Sequence, residues 1–313
     1  MKIQTDTGLT KVLAHLENAE PEQALQILET LFQYDFGRED LVLSAEYCNF
    51  WVPYIRQLAN MENPFERGES LIIAWKQFRQ FILRKAKCYE RAIYSVNKGV
   101  FSKALENFSQ VLDEKDNMHK AEVYRRLGLC YKKLGKFENA VHSLSIANNA
   151  QVSSAATLAE LADCYALCGN DKNAKVLFRE AFFIAPEKID ITVLDSELIT
   201  SLIQKTEEKG FTGSTLLNWI PVYGIIWGVF NIKRELSGTE ASKLKQEIYA
   251  LENEMKNPSC DSHILTPRLI NLYFWLIDHY IMSNASVKLV NDVLLKIKIL
   301  DSAIHEMYIK GSV

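Results

Sequence analysis

The chain has 313 residues, room for two ordinary domains or one elongated array. Hydrophobic residues at 48% and charged residues at 24% exclude wholesale disorder, and 13 Gly with 7 Pro leave little of the turn chemistry that a β-sandwich needs. A net charge of −3 supplies no basic excess for nucleic acid, although residues 85–188 alone carry 16 basic against 12 acidic side chains.

The first sixteen residues hold no continuous apolar run of signal-peptide length and no small-residue cleavage site. The six cysteines (Cys48, Cys88, Cys130, Cys164, Cys168, Cys260) are scattered through helical patterns, as unpaired thiols in a reducing compartment are. Both features lead to the expectation of a cytoplasmic protein.

In chain order, Thr5–Arg38 carries Ala24-x3-Leu28 and Leu31 behind a poorly patterned first segment, and Leu41–Trp51 and Phe65–Leu83 read as helices. Lys85–Lys120 carries Ala92, Gly99 and Ala104-x3-Phe108, with an exit loop at Asp113–Lys120 where Asp113 and Glu114 read as solvated charge. From there the chain repeats itself. With Tyr131 set on Tyr165, Cys130 falls on Cys164, Gly135 on Gly169, Ala140 on Ala174, Leu144 on Phe178 and Ala147 on Ala181, a constant offset of 34. A fixed period in that range marks stacked supersecondary units. Each unit reads as two helices: Ala121–Leu134 and Phe137–Asn149, broken at Gly135, then Ala155–Cys168 and a helix to about Ala185, broken at Gly169-Asn170-Asp171 and stopped by Pro186. The small residues at Gly128/Ala162 and Ala140/Ala174 let antiparallel helices approach closely.

Tyr124-x2-Leu127-Gly128-x2-Tyr131…Ala140-x3-Leu144 and Leu158-x2-Leu161-Ala162-x2-Tyr165…Ala174-x3-Phe178…Pro186 resemble the tetratricopeptide repeat pattern. The resemblance makes Lys85–Lys120 a weaker unit and Thr5–Arg38 a degenerate one. It implies an all-α, tetratricopeptide-type superhelix of helical hairpins with an additional C-terminal helical unit. The expected divisions are 1–84 for degenerate N-terminal repeats, 85–209 for the array with a capping helix at Ile191–Lys209, and 210–313 for the C-terminal unit.

That unit opens on a loop, Gly210–Ser214, without the Lys-Ser/Thr of a phosphate loop. Leu216–Phe230 follows, interrupted only by Asn218 and Pro221, and a helix is expected from Pro221 to Leu236. Its aliphatic stripe (Val222, Ile225, Ile226, Val229, Ile232) lies beside an aromatic one (Tyr223, Trp227, Phe230), which calls for burial on more than one side. Fifteen helical residues reach ~22 Å, short of the ~30 Å hydrocarbon core; internal packing, a membrane-surface contact and an oligomer interface all remain readings of it. A charged helix capped by Thr239 is expected over Glu240–Lys256, then helices over Pro267–Met282 and Ala285–Lys310.

No catalytic constellation is visible. The six histidines are isolated, no serine sits in a G-x-S-x-G elbow, and Cys164 and Cys168 read as small core residues before they read as half a metal site. No cofactor is expected. The resemblance instead implies a concave groove lined by the first helix of each unit. Carried over by position, its candidate partner-binding residues are Tyr89, Ile93, Val96, Arg125, Leu129, Lys132, Ala159 and Asp163. Tyr89, Ile93 and Leu129 stand where chaperone-binding members of the family carry polar clamp residues, so that particular role is not implied. The expectation is a non-enzymatic scaffold for a partner peptide or helix, with Arg125 and Lys132 favouring an acidic one. The second reading is a membrane-peripheral assembly factor using residues 216–230.

Overall fold

The computed structural model describes residues 2–112, 117–152 and 154–311; the turn expected at Asp113/Glu114 lies outside them. The described residues form fifteen α-helices and two 3-10 turns, with no strand among them. The chain divides into two compact units, Met1–Gln151 and Val152–Val313. The division falls inside the stretch expected as one array, because the helices before it pack on earlier helices and those after it on later ones.

Unit one comprises α1 (Lys2–Glu17), α2 (Pro21–Phe32), α3 (Glu39–Leu58), α4 (Pro64–Leu83), α5 (Glu90–Ser109), α6 (Asn117–Lys133) and α7 (Phe137–Ala150). Neighbours in sequence pack as hairpins, and α5 also lies against α1 and α6. The start of α4 is fixed by Asn63, whose side chain accepts from the backbone N–H groups of Phe65 and Glu66, with Pro64 at the first helical position. Between α3 and α4 the core is aromatic: Tyr47, Trp51 and Phe78 are buried, and Phe78 meets Tyr47 edge-on at 5.5 Å.

Lys85–Lys120 is not a hairpin. Residues 90–109 run as one helix straight through Gly99. This glycine serves a crossing: a Cβ there would lie 2.1 Å from the Leu16 carbonyl oxygen and 2.8 Å from the Ala19 nitrogen, both backbone atoms at the end of α1.

The 34-residue period is reproduced bond for bond. Gly135 and Gly169 have φ of +74° and +75°, the left-handed conformation that glycine adopts without strain. The residue after each donates its N–H to the tyrosine carbonyl five back, Lys136 to Tyr131 at 2.9 Å and Asn170 to Tyr165 at 2.8 Å. Ala140, Ala147, Ala174 and Ala181 are fully buried, as are Leu144 and Phe178. Leu144 packs on Gly128 so tightly that a Cβ there would meet its Cγ at 2.5 Å.

Unit two comprises α8 (Ala155–Leu167), α9 (Asp171–Ile184), 3-10 turns at Pro186–Lys188 and Ile191–Val193, α10 (Glu197–Glu207), α11 (Gly213–Ile226), α12 (Gly238–Glu254), α13 (Ser262–Met282), α14 (Val287–Leu300) and α15 (Ser302–Gly311). Three expectations are corrected. The capping helix starts at Glu197, after the 3-10 turns. The N-cap of α12 is Ser237, which forms a reciprocal capping box with Glu240. The last helix is split at Asp301, whose side chain accepts from the Ile304 N–H.

The apolar segment differs most. Its helix begins at Gly213, carries Pro221 inside it, and stops at Ile226 well short of Leu236. Leu216, Trp219, Ile220, Val222 and Tyr223 are buried, and α11 packs on α9, α10 and α13. An aromatic ladder, Phe211–Trp219–Tyr223–Trp227, runs along one side with centroid spacings of 4.9, 5.6 and 4.7 Å. The chain then folds back, the Phe230 N–H donating to the Gly224 carbonyl at 2.8 Å. The Phe230 ring, 1% exposed, stacks by Phe178 and Phe182 and covers Gly224, where a Cβ would lie 2.4 Å from the ring. Trp227, at the open end of the ladder, stays half-buried.

Residues 231–237 form no helix, and the cations among them find fixed partners. Arg179, itself buried, pairs with Asp278 and donates to the Ile232 carbonyl at 3.1 Å. Lys233 reaches Asp278 at 2.6 Å, and Arg234 spans Glu180 at 2.8 Å and Glu240 at 2.7 Å. The hydrogen bond from Arg234, with those from Ser237, pulls the Glu240 carboxyl down to about 2.

Two tests follow from this packing. In an exposed helix Gly→Ala stabilises by about 1 kcal/mol, whereas Gly99→Ala should destabilise by about 1–3 kcal/mol, since backbone must move; denaturant melts read the sign. In unit two Phe230→Ala should cost about 3–5 kcal/mol and Trp227→Ala clearly less, which paired thermal melts of the two variants will compare.

Candidate functional site

The eight groove candidates separate between the units, six in the first and Ala159 and Asp163 in the second. Ile93, Val96, Leu129, Lys132, Ala159 and Asp163 are buried. Asp163 accepts from the backbone N–H groups of Asp195 (3.0 Å) and Ser196 (2.8 Å), fixing the turn that leads into α10. Arg125 is half-buried and forked onto Glu122 of its own helix at 2.8 Å. These seven side chains are engaged by the fold. Cys48, Cys130 and Cys164 are buried, but the expectation of a core residue is corrected at Cys168, which is exposed at the C-terminal end of α8; burial pushes the Cys48 thiol up to about 12 and raises that of Cys130.

Tyr89 lines an open cleft. It is the N-cap of α5, and its backbone N–H donates to the buried Tyr47 hydroxyl at 3.1 Å. Burial holds both phenols above their ordinary range. Beside it lies an open cleft of about 540 Å³, lined by Arg38, Glu39, Asp40, Leu43, Lys87, Cys88 and Tyr89. The beginning of α3 and the approach to α5 form its walls.

The charges of this cleft neutralise one another. Arg38, preceding α3, forks onto Asp40 at 2.9 Å through Nε and Nη2 and reaches Asp6 at 2.6 Å, hydrogen bonds that raise its guanidinium pKa further. Lys87 meets Glu39 at 2.8 Å. What is left to a visitor is Leu43, the Tyr89 ring and the exposed Cys88, with Phe36 standing 80% exposed two residues before Arg38. Among the described residues no group of three His, Cys, Asp or Glu side chains is placed to hold a metal ion. A cleft of this kind can seat an apolar side chain against an aromatic wall.

Six of the cleft's seven residues escaped the sequence reading. Residues 38–43 and 87–89 stand more than forty positions apart with no shared motif, and only tertiary contacts join them. The sole local signal was Arg38-Glu39-Asp40, an acidic first turn behind a basic residue, which also describes any ordinary helix start.

No family model matches the chain, and no curated protein matches it significantly. What fold and cleft define is therefore a class: a protein all-helical among its described residues, with an open, charge-balanced cleft in its first unit.

If Asp163 is a structural clasp, Asp163→Ala should leave two backbone N–H groups unpaired and cost about 1–3 kcal/mol for each donor left buried. A melt unchanged by that substitution would overturn the clasp reading.

Proposed function

We propose that this protein is a non-enzymatic scaffold that holds a peptide or helix of a partner protein, and that α6–α9 are two tetratricopeptide-type hairpins. The repeat reading is supported by the identical glycine turns, buried alanines and capping bonds at an offset of 34. One observation carries the binding reading: a cleft whose ionic groups are already paired is lined by the half-buried Tyr89 ring, and Phe36, 80% exposed, stands two residues before its lining residue Arg38. Exposed large aromatics next to a concavity mark interaction sites more often than isolated surface residues do.

The partner's contribution is accordingly an apolar anchor. Arg38, Lys87 and Arg125 are held by carboxylates of the same chain, so an acidic partner would compete with bonds already made. The 216–230 segment does not support the membrane-peripheral alternative, because most of its large side chains are buried.

Affinity capture from the native cell, with full-length protein as bait, tests this reading. Phe36→Ser with Tyr89→Ala should reduce the co-purifying partner about tenfold or more, the loss of a hot-spot pair of ~1.4 kcal/mol or above. Capture should also resist moderate salt. Undiminished capture by the double variant, with its melt intact, would remove the cleft from consideration; capture that collapses with salt would restore an acidic partner.

A further inference from the structure

The α13–α14 hairpin ends in a tip with an unusual surface. From Ile281 to Leu289 eight of nine residues are exposed, and they include Ile281 (50%), Met282, Val287 (73%) and Leu289. Ser283, Asn284 and Ser286 are the polar residues between them, and Asn284 takes the left-handed conformation that turns the chain. From His279 through Asn291 there is no carboxylate. The acidic residue just inside the tip, Asp278, is neutralised by Arg179 and Lys233. Two cations border the tip: Lys288 on its own turn, and Lys245 of α12, whose ammonium lies 5.3 Å from the Tyr280 ring centroid. Neither has an ion-pair partner among the described residues, and the first carboxylate beyond them on α14 is Asp292.

We propose that this tip docks on an anionic lipid surface, inserting Ile281, Met282, Val287 and Leu289 among the headgroups while Lys245 and Lys288 meet the negative charge. The charge sign and the shape select this occupant. A second copy of the chain would set unpaired cations against unpaired cations. The end of a helical hairpin presents side chains that protrude into solvent, and a bilayer interface yields to protruding apolar groups and adds attraction for lysines. Tyr280, with an apolar ring and a polar hydroxyl, suits the same boundary. None of this requires a spanning helix, and no helix among the described residues is long and apolar enough to be one.

Flotation of the full-length protein with phosphatidylcholine vesicles, with and without phosphatidylserine, tests the proposal independently of the partner cleft. The protein should float with the phosphatidylserine vesicles and much less with the neutral ones. Flotation should weaken at ~1 M salt, where the Debye length falls to about 3 Å. Met282→Asp with Val287→Asp should abolish flotation while leaving the melt intact, because both side chains already face solvent. Lys245→Glu with Lys288→Glu, a variant that leaves the apolar tip untouched, should lower partitioning about tenfold or more. The proposal is overturned if the protein fails to float, if both double variants float like the parent, or if the tip variants instead dissociate a dimer seen by sedimentation without lipid.

Discussion

How closely two helices can approach governs this molecule, and small side chains set that distance. At Gly99 the C-terminal end of α1 comes so near that only a hydrogen atom fits between backbones. Leu144 closes on Gly128 in the same way, and Ala140 of α7 and Ala174 of α9 are fully buried. Interiors packed to crystal-like density forfeit dispersion energy when such contacts open by a fraction of an ångström. The larger core residues, Phe108, Phe178 and Leu144 among them, are then sized to the spaces these approaches leave.

Unit two adds a different device. Phe230 is folded back over Gly224 and seated by Phe178 and Phe182, so a residue following α11 completes the core behind α9. The basic segment beyond it is laid across α9 and α13 by Asp278, Glu180 and Glu240. Arg179 and Asp278 are both buried, and burial of charge is tolerated there because the guanidinium is shared among a carboxylate, a backbone carbonyl and the Trp275 ring at 4.7 Å. Pairs of this kind contribute chiefly by fixing one path for the chain, since a displaced strap would leave buried charge unpaired.

The same economy of charge shapes the surface. Around the Tyr89 cleft each cation is matched by a carboxylate of its own chain, which leaves shape and apolar contact to select a visitor. At the α13–α14 tip the balance is broken in one direction only, with apolar side chains and two lysines that have no ion-pair partner among the described residues. The two surfaces suit chemically different occupants and lie in different units.

The sequence by itself determined the helical class and the two hairpins of constant period. Those rest on local rules: glycine at a left-handed turn, alanine at a crossing, proline after a last turn, each acting within a few residues. It also singled out residues 216–230 as a segment that calls for burial, without choosing between internal packing, a membrane surface and an oligomer interface. Tertiary structure decided what depends on partners far away in the chain. Gly99 reads as a possible break until α1 is seen against it, and Pro221 reads as a helix start until Gly213–Ile220 is found packed before it. Periodicity also says which helix face is polar without saying whether another element covers it. Lys132 and Asp163 occupy groove positions by register, yet both are buried. The cleft was illegible for the same reason: its two walls are joined by tertiary contacts, the packing of α3 on α5 and the Lys87–Glu39 pair, between segments more than forty residues apart.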